Sequence, residues 1–207
     1  MYTLYSFGTP NGFKPTLMLE ELKQPYTLKL IDITKNEQFN PEFLKISPNN
    51  KIPVLYDHSN DFYLFESVAI VQYLAEQHQQ FLPESLKDKY TVLQWCYFQA
   101  AHIGPMFGQF GHFHRFAKEQ VPYAMQRYAD ECIRLMNVME SQLAQNPFIS
   151  GKNYTIADIA IWPWIWCYQS IYQQNIDEQQ FPHLFAWFQK INERSAVAAT
   201  LKAYGRD

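Results

Sequence analysis

The chain has 207 residues, 47% of them hydrophobic, 18% charged and 17% aromatic. That composition excludes intrinsic disorder and is enough for one large domain or two small ones with a sizeable core. A formal charge of -3, with no run of lysines or arginines, argues against nucleic acid or an anionic membrane surface and for a small-molecule partner.

Tyr2 to Phe7 reads as a strand and Phe13 to Leu22 as the helix after it. Pro15 is best tolerated in a first helical turn, where its missing N–H has no intrahelical partner, so the helix is expected to start close to Asn11 or Gly12. The turn Thr9-Pro10-Asn11-Gly12 then points a helix start out of a sheet edge, with unpaired N–H groups and positive potential that suit an anion or a thiolate. It carries no cysteine. Sulfur chemistry here needs a sulfur that arrives on a ligand.

Tyr26 to Ile33 follows as a strand and Pro41 to Ile46 as a short helix; Gln38, on the loop between them, can supply an amide contact to a ligand. In Asn49-Asn50-Lys51-Ile52-Pro53-Val54 a proline opens the next strand. A cis bond there turns the Ile52 backbone outward to pair with an extended peptide, a trans bond makes an ordinary tight turn, and these residues leave both open. Val54 to Asp57 and Phe62 to Phe65 are strands close enough for a hairpin, and Ser67 to Gln77 is a helix. Ser67 can cap that helix. With Glu66 it can instead recognise a free amino-acid end, the hydroxyl and N–H holding a carboxylate and the glutamate an ammonium. These elements form a βαβ unit followed by ββα, a first domain over 1–80.

After Leu86 the period-two pattern ends, and helices are expected over Leu86 to Ala117, Pro122 to Gln145, Ile156 to Gln173, Pro182 to Asn192 and Ala196 to Ala203. This is an all-helical second domain over 86–207; Tyr128, Cys132, Leu135, Met139 and Leu143 mark one of its buried faces. Phe107, Phe110, Phe113 and Phe116 recur every three residues among Gly104, Gly108 and Gly111, which are expected to bend or loosen their helix. His102, His112 and His114 lack an acid or cysteine at metal-ligand spacing, so no metal is expected. Arg127 is the one charge between Pro122 and Tyr128.

Thr155-Ile156-Ala157-Asp158 has the capping-box form, with a structural role, and Pro163 is expected to kink the helix after it. Ile159 to Tyr168 is too short and too interrupted for a membrane span and reads as a buried helix. Cys96, Cys132 and Cys167 lie far apart and read as buried fillers. With no disulfide framework and no apolar leader, the expected compartment is reducing and cytoplasmic.

Taken together these residues resemble the glutathione transferase superfamily. Thr9-Pro10-Asn11-Gly12, Ser47-Pro48-Asn49-Asn50-Lys51-Ile52-Pro53, Leu93-Gln94-Trp95, Gly104-Pro105-Met106 with Gly108-Gln109, Pro122-Tyr123-Ala124 with Arg127-Tyr128, and Ile156-Ala157-Asp158-Ile159-Ala160 are most similar to the bacterial Nu class. The resemblance implies a thioredoxin-like N-terminal domain, a helical C-terminal domain, and a homodimer that binds one or two glutathiones, or oxidised glutathione, and reduces disulfides. Carried over position by position, Asn11, Gln38, Ile52, Pro53, Glu66, Ser67 and Arg127 match the glutathione-binding residues, Thr9 and Asn11 match the residues facing its sulfur, and Pro53 is implied to be cis. Phe110 and Gly111 stand where the class more often has polar residues.

A thiol of pKa near 8.5 is only a few per cent ionised at neutral pH, so lowering it by about two units takes about 2.7 kcal/mol. A helix terminus with hydrogen bonds from the Thr9 hydroxyl and an Asn11 amide suffices for that. The implied activity is attack of the glutathione thiolate on a disulfide, with no protein cysteine taking part. Two alternatives stand beside it. One is conjugation to an apolar electrophile packed against Phe107, Phe110 and Phe113, with Tyr5 as the thiol activator of other classes; the other is a glutathione-binding regulator with little catalysis.

Overall fold

The computed structural model describes residues 1–206 as two compact units, one made of residues 1–82 with 193–206 and the other of Pro83–Asn192. In the first unit, β1 (Tyr2–Ser6) runs parallel to β2 (Tyr26–Leu30) and antiparallel to β3 (Val54–Asp57), which pairs in turn with β4 (Phe62–Phe65) as a hairpin. The sheet order is β2-β1-β3-β4. Period-two alternation sends Leu4 and Ser6, both without exposed surface, to one face, and Thr3 and Tyr5 to the other. Against the first face packs α1 (Pro10–Glu21), beside α3 (Ser67–His78), and the core there is Phe13, Leu17, Met18, Ile70 and Leu74. A four-residue α2 (Pro41–Leu44) lies between β2 and β3. The βαβ-ββα order expected from the sequence is the one observed.

Two expectations in this half need correction. Helix α1 begins at Pro10, one residue ahead of Asn11, because Thr9 is its N-cap: the Thr9 hydroxyl accepts from the Gly12 N–H at 3.3 Å. Pro15 therefore lies in the second turn, where it deprives the Asn11 carbonyl of its intrahelical donor. The chain after Asn192 also does not stay with the helical unit expected over 86–207. Helix α9 (Ser195–Ala203) packs on α1, burying Ala196, Val197 and Thr200. Arg194 clamps the end of α1 by a bidentate pair from Nε and Nη2 to the Glu21 carboxylate, with Nη2 2.8 Å from Glu21 Oε2.

The second unit holds α4 (Leu86–Phe98), α5 (Gly104–Gly111), α6 (Pro122–Leu143), α7 (Ile156–Ser170) and α8 (Pro182–Asn192). Single π-helical turns, Gln99–Ile103 and His112–Phe116, flank α5. The loosening expected here takes the form of those two π turns, which meet α5 at Gly104 and Gly111, and the glycines also admit large neighbours. A Cβ on Gly104 would come within 2.9 Å of Gln99 Nε2, Gly108 faces the Trp164 ring, and the Tyr172 ring occupies the place of a Gly111 side chain. Asp158, with no exposed surface, closes the capping box on the Thr155 N–H at 2.9 Å and also accepts from the Ile149 N–H at 2.9 Å and the Trp187 indole at 2.8 Å. Pro163 is buried within α7. Among the described residues no helix is long and apolar enough to cross a membrane.

Candidate functional site

In the first unit a cavity of about 260 Å3 opens where α1 and α3 both begin. Asn11, Ser47, Asn49, Lys51, Ile52, Pro53, Phe65, Glu66 and Ser67 line it. Topology explains the convergence. β1 and β4 both run antiparallel to β3, so the end of β1, where α1 starts, and the end of β4, where α3 starts, lie at the same edge of the sheet, and the loop before β3 supplies the remaining lining.

The first turn of α1 concentrates its donors on one residue. Pro10 has no N–H, the Gly12 N–H goes to Thr9 Oγ1 and the Phe13 N–H to the Thr9 carbonyl at 2.9 Å. The Asn11 N–H is left without a partner among the described residues, at the positive end of the helix. Thr9 itself is half-buried, its oxygen engaged in the cap and its proton free to be donated. It is two residues from Asn11 but does not line the cavity.

Ser67 is not the cap of α3. Glu66 precedes the helix with φ 72 and ψ 110 and makes no side-chain cap bond, so Ser67 is the first helical residue and its hydroxyl is used elsewhere. A non-glycine residue in the left-handed half of the map stores on the order of 1–3 kcal/mol, a cost seen most often where a ligand is held. The exposed Glu66 carboxylate is thereby brought to the rim beside the buried Ser67. The Ile52–Pro53 peptide is cis, and Ile52 lies just ahead of the β3 ladder, which starts at Val54. Ser47 holds that loop in shape, its Oγ donating to the Lys51 carbonyl at 2.8 Å and accepting from the Lys51 N–H at 3.3 Å.

Beneath the cavity floor lies a residue that the sequence reading passed over. Lys14, only 2% exposed, sits in an unbroken buried run of α1 and donates to Asn11 Oδ1 at 2.9 Å and Ser67 Oγ at 3.1 Å. The available signal was a lysine between Phe13 and Pro15 on a helix face otherwise apolar, since a lysine is almost never buried unless paired. Tyr204 was missed as well. Its hydroxyl reaches across from the end of α9 to Ser6 Oγ (2.8 Å), Thr16 Oγ1 (2.7 Å) and the Gly12 carbonyl (3.3 Å), behind the Thr9–Gly12 turn. Burial pushes that phenol up to about 12 against the pull of Ser6 and Thr16.

Asn11, Ile52, Pro53, Glu66 and Ser67 are thus brought together, and two other candidates are not among the lining residues. Gln38 lies in a 3-10 turn, Glu37–Phe39, its Oε1 buried with no hydrogen-bond partner among the described residues. Arg127 is on α6 and lines a cavity of about 620 Å3 within the helical unit, with Tyr123, Tyr128, Asp130, Glu131 and Arg134.

Tyr5 belongs to the opposite face of the sheet from α1. Its ring lies 6.5 Å from that of Tyr63, and its hydroxyl accepts from Lys29 at 3.4 Å. Phe107 and Phe110 are buried against Tyr168, and Phe113 stacks on Tyr128 with centroids 5.6 Å apart. The departure at Phe110 and Gly111 has a packing cause, since both accommodate Tyr172. The three cysteines are buried, outside any disulfide, and all in the helical unit. Burial pushes the Cys132 thiol far up, against ionisation. The histidines serve as ring partners, His114 stacking on Phe110 and contacting Gln174, and no metal-binding group is assembled among the described residues.

A helix terminus, an amide, a hydroxyl and an acid lining one cavity this small can hold an anion and a cation of one extended ligand at once. Comparison with known proteins bears on which ligand. Residues 1–76 match the family described as glutathione S-transferase, N-terminal domain, and residues 122–190 the glutathione S-transferase, C-terminal domain. The chain is 44% identical to the disulfide-bond oxidoreductase YfcG of Escherichia coli (strain K12), over 98% of this chain and 96% of that protein. A glutathione transferase from Burkholderia graminis, crystallised with two glutathione molecules per subunit, superposes with a TM-score of 0.94 at 38% identity, over 100% of this chain and 89% of the other. One from Pseudomonas putida, with one glutathione disulfide per subunit, gives 0.93 at 38% identity, over 99% and 92%.

Proposed function

The chain belongs to the glutathione S-transferase family, and from that premise we propose that it is an enzyme that binds glutathione in the cavity between α1 and α3 and uses it to reduce disulfides. The observation that carries this reading is the donor set itself. Donors cluster at the start of α1 and at Ser67, an acid stands at Glu66, and the backbone of Ile52 lies between them. Glutathione offers a matching series: a thiol, a peptide backbone, and an amino-acid end with carboxylate and ammonium. Ser67 holds the carboxylate, Glu66 the ammonium, and Ile52 pairs with the central residue as in β-strand addition. Gln38, in the same unit, is a further contact implied by the family resemblance.

Asn11 and Thr9 act on the sulfur. Donors at a helix start stabilise a thiolate over a thiol, and about two units of pKa lowering correspond to about 2.7 kcal/mol. Deeper lowering would be counterproductive, since nucleophilicity falls with basicity and exchange is fastest when the thiol pKa is near ambient pH. The glutathione thiolate attacks one sulfur of the disulfide to form a mixed disulfide and expels the other sulfur as a thiolate, and a second glutathione thiolate then attacks the glutathione sulfur of the mixed disulfide, giving oxidised glutathione and the second substrate thiolate. The chain contributes orientation and charge stabilisation, and its cysteines take no part. Conjugation against the phenylalanine stripe is less well supported, because Phe107 and Phe110 are already buried. A homodimer is part of the proposal, to be read by sedimentation velocity.

The test is turnover of a small dialkyl disulfide with glutathione as reductant. Thr9→Ala and Asn11→Ala are expected to slow it on the order of 10- to 100-fold, the effect of one or two charge-assisted hydrogen bonds, and Cys96→Ala to leave it nearly unchanged. Binding of glutathione with no turnover of any disulfide would favour a regulator. Failure to bind reduced or oxidised glutathione would reject the reading.

A further inference from the structure

An ammonium group can only donate hydrogen bonds, and this decides the polarity of what surrounds it. Lys14 Nζ touches Asn11 Oδ1 and Ser67 Oγ, the first from its own helix and the second from α3. With Oδ1 turned to the ammonium, the Nδ2 amide of Asn11 faces the other way. The flipped rotamer would set an amino group against an ammonium inside the protein. Ser67 Oγ, accepting from Lys14, has its own proton left to donate. Both residues line the cavity. We infer that Lys14 is a positioning residue: one buried charge that fixes Asn11 and Ser67 as hydrogen-bond donors toward the bound glutathione. The inference rests on the proposed function.

Burying an ammonium is costly unless its partners satisfy it, and an apolar residue in its place would pack against α3 without that cost. Placement behind two cavity residues explains why a lysine stands here. It polarises two groups that meet different parts of one ligand, the sulfur at Asn11 and the carboxylate at Ser67. It also ties the start of α1 to the start of α3, so that both donors are oriented before the ligand arrives. The charged residues that line the cavity itself, Lys51 and Glu66, come from the loops before β3 and α3.

Lys14→Met keeps much of the side-chain volume and removes every donor. The experiment has three arms: the thiol pKa of bound glutathione from the ultraviolet absorbance of its thiolate, calorimetric affinity for S-methylglutathione, which has no thiol, and the urea midpoint. Expected for Lys14→Met are a bound-thiol pKa higher by about one unit and an affinity for S-methylglutathione lower by about tenfold, each the loss of one charge-assisted orientation. Asn11→Asp carries the test if Lys14→Met does not fold. It keeps an acceptor for Lys14 while replacing the cavity-facing amide by an oxygen, and is expected to hold its urea midpoint while the bound thiol becomes less acidic. Wild-type thiol pKa and affinity in Lys14→Met, or a bound thiol as acidic as wild type in Asn11→Asp, would overturn the inference. A wild-type protein that binds neither glutathione nor its S-methyl derivative would remove the functional reading and this inference with it.

Discussion

Tyr204→Phe deletes one oxygen from the network behind the Thr9–Gly12 turn while keeping the ring beside Phe13, whose centroid is 5.3 Å away. Two short hydrogen bonds disappear, to Ser6 Oγ at 2.8 Å and Thr16 Oγ1 at 2.7 Å. The two losses are unequal. Thr16 retains its bond to the Gly12 carbonyl at 3.1 Å, whereas Ser6, with no exposed surface, is left facing a phenyl edge. An orphaned buried hydroxyl costs about 1–3 kcal/mol, and a satisfied bond contributes about 1 kcal/mol net, so the variant should lose about 2 kcal/mol. Ser6→Ala alone should lose about 1 kcal/mol. Made in the Tyr204→Phe background it should be nearly neutral, because both polar partners are then gone. The coupling energy from urea unfolding of wild type, both single variants and the double is therefore expected to be about 1 kcal/mol or more at unchanged m value. Tyr204→Phe should also raise the glutathione KM several-fold, since the Gly12 carbonyl loses a contact. Strictly additive single effects, within about 0.3 kcal/mol, would refute the idea that these hydroxyls form one unit.

Asp158→Ala leaves the Ile149 and Thr155 N–H groups and the Trp187 indole without their acceptor, and a loss of about 3–5 kcal/mol is expected by urea unfolding; a loss under about 1 kcal/mol would contradict the accounting of those donors. Gly12→Ala drives a methyl into the Phe7 carbonyl and within 2.5 Å of Ser6 Oγ, so it should destabilise by about 2–3 kcal/mol and abolish glutathione binding in calorimetry. Burial pushes Asp57 up, but hydrogen bonds from Tyr73, the Ser59 N–H and Asn60 outweigh it and hold the carboxyl below its ordinary value. A depressed acid contributes stability that is complete above its unfolded pKa of about 3.9 and is lost as pH falls through the folded value. The advantage of wild type over Asp57→Asn should thus be constant above about pH 5 and shrink below about pH 4, as read from urea midpoints; an advantage that grows on acidification would show that the sign is wrong.

Much of the site was legible because its chemistry is local. Asn11 follows a strand and opens a helix, Ser67 opens the next, and Ile52-Pro53 precedes a strand, so short-range pattern places all of them at element ends. Where local signals competed, the reading slipped. Pro15 by itself points to a start that leaves it in the first turn, yet the Thr9 hydroxyl and Pro10 make a stronger start further upstream. Ser67 looked like a cap because serine usually is one, but its oxygen was already engaged by Lys14. The glycines of α5 mark the π turns as expected, but their packing role could not be read, since what presses on them, Gln99, Trp164 and Tyr172, is partly remote in sequence.

The sequence by itself determined the periods, the turn chemistry and the family, and through these the succession of strands and helices, the helical half and the absence of a thiol from the Thr9–Gly12 turn. Those properties depend on residues a few positions apart. Only the tertiary structure decided that α9 returns to α1, that Tyr204 stands behind Gly12, and that Lys14, bonded to Asn11 on its own helix, reaches Ser67 53 positions further along the chain. Burial creates these pairings, because a polar group removed from water must find a partner wherever the fold brings one, and pattern along the chain carries no record of that partner.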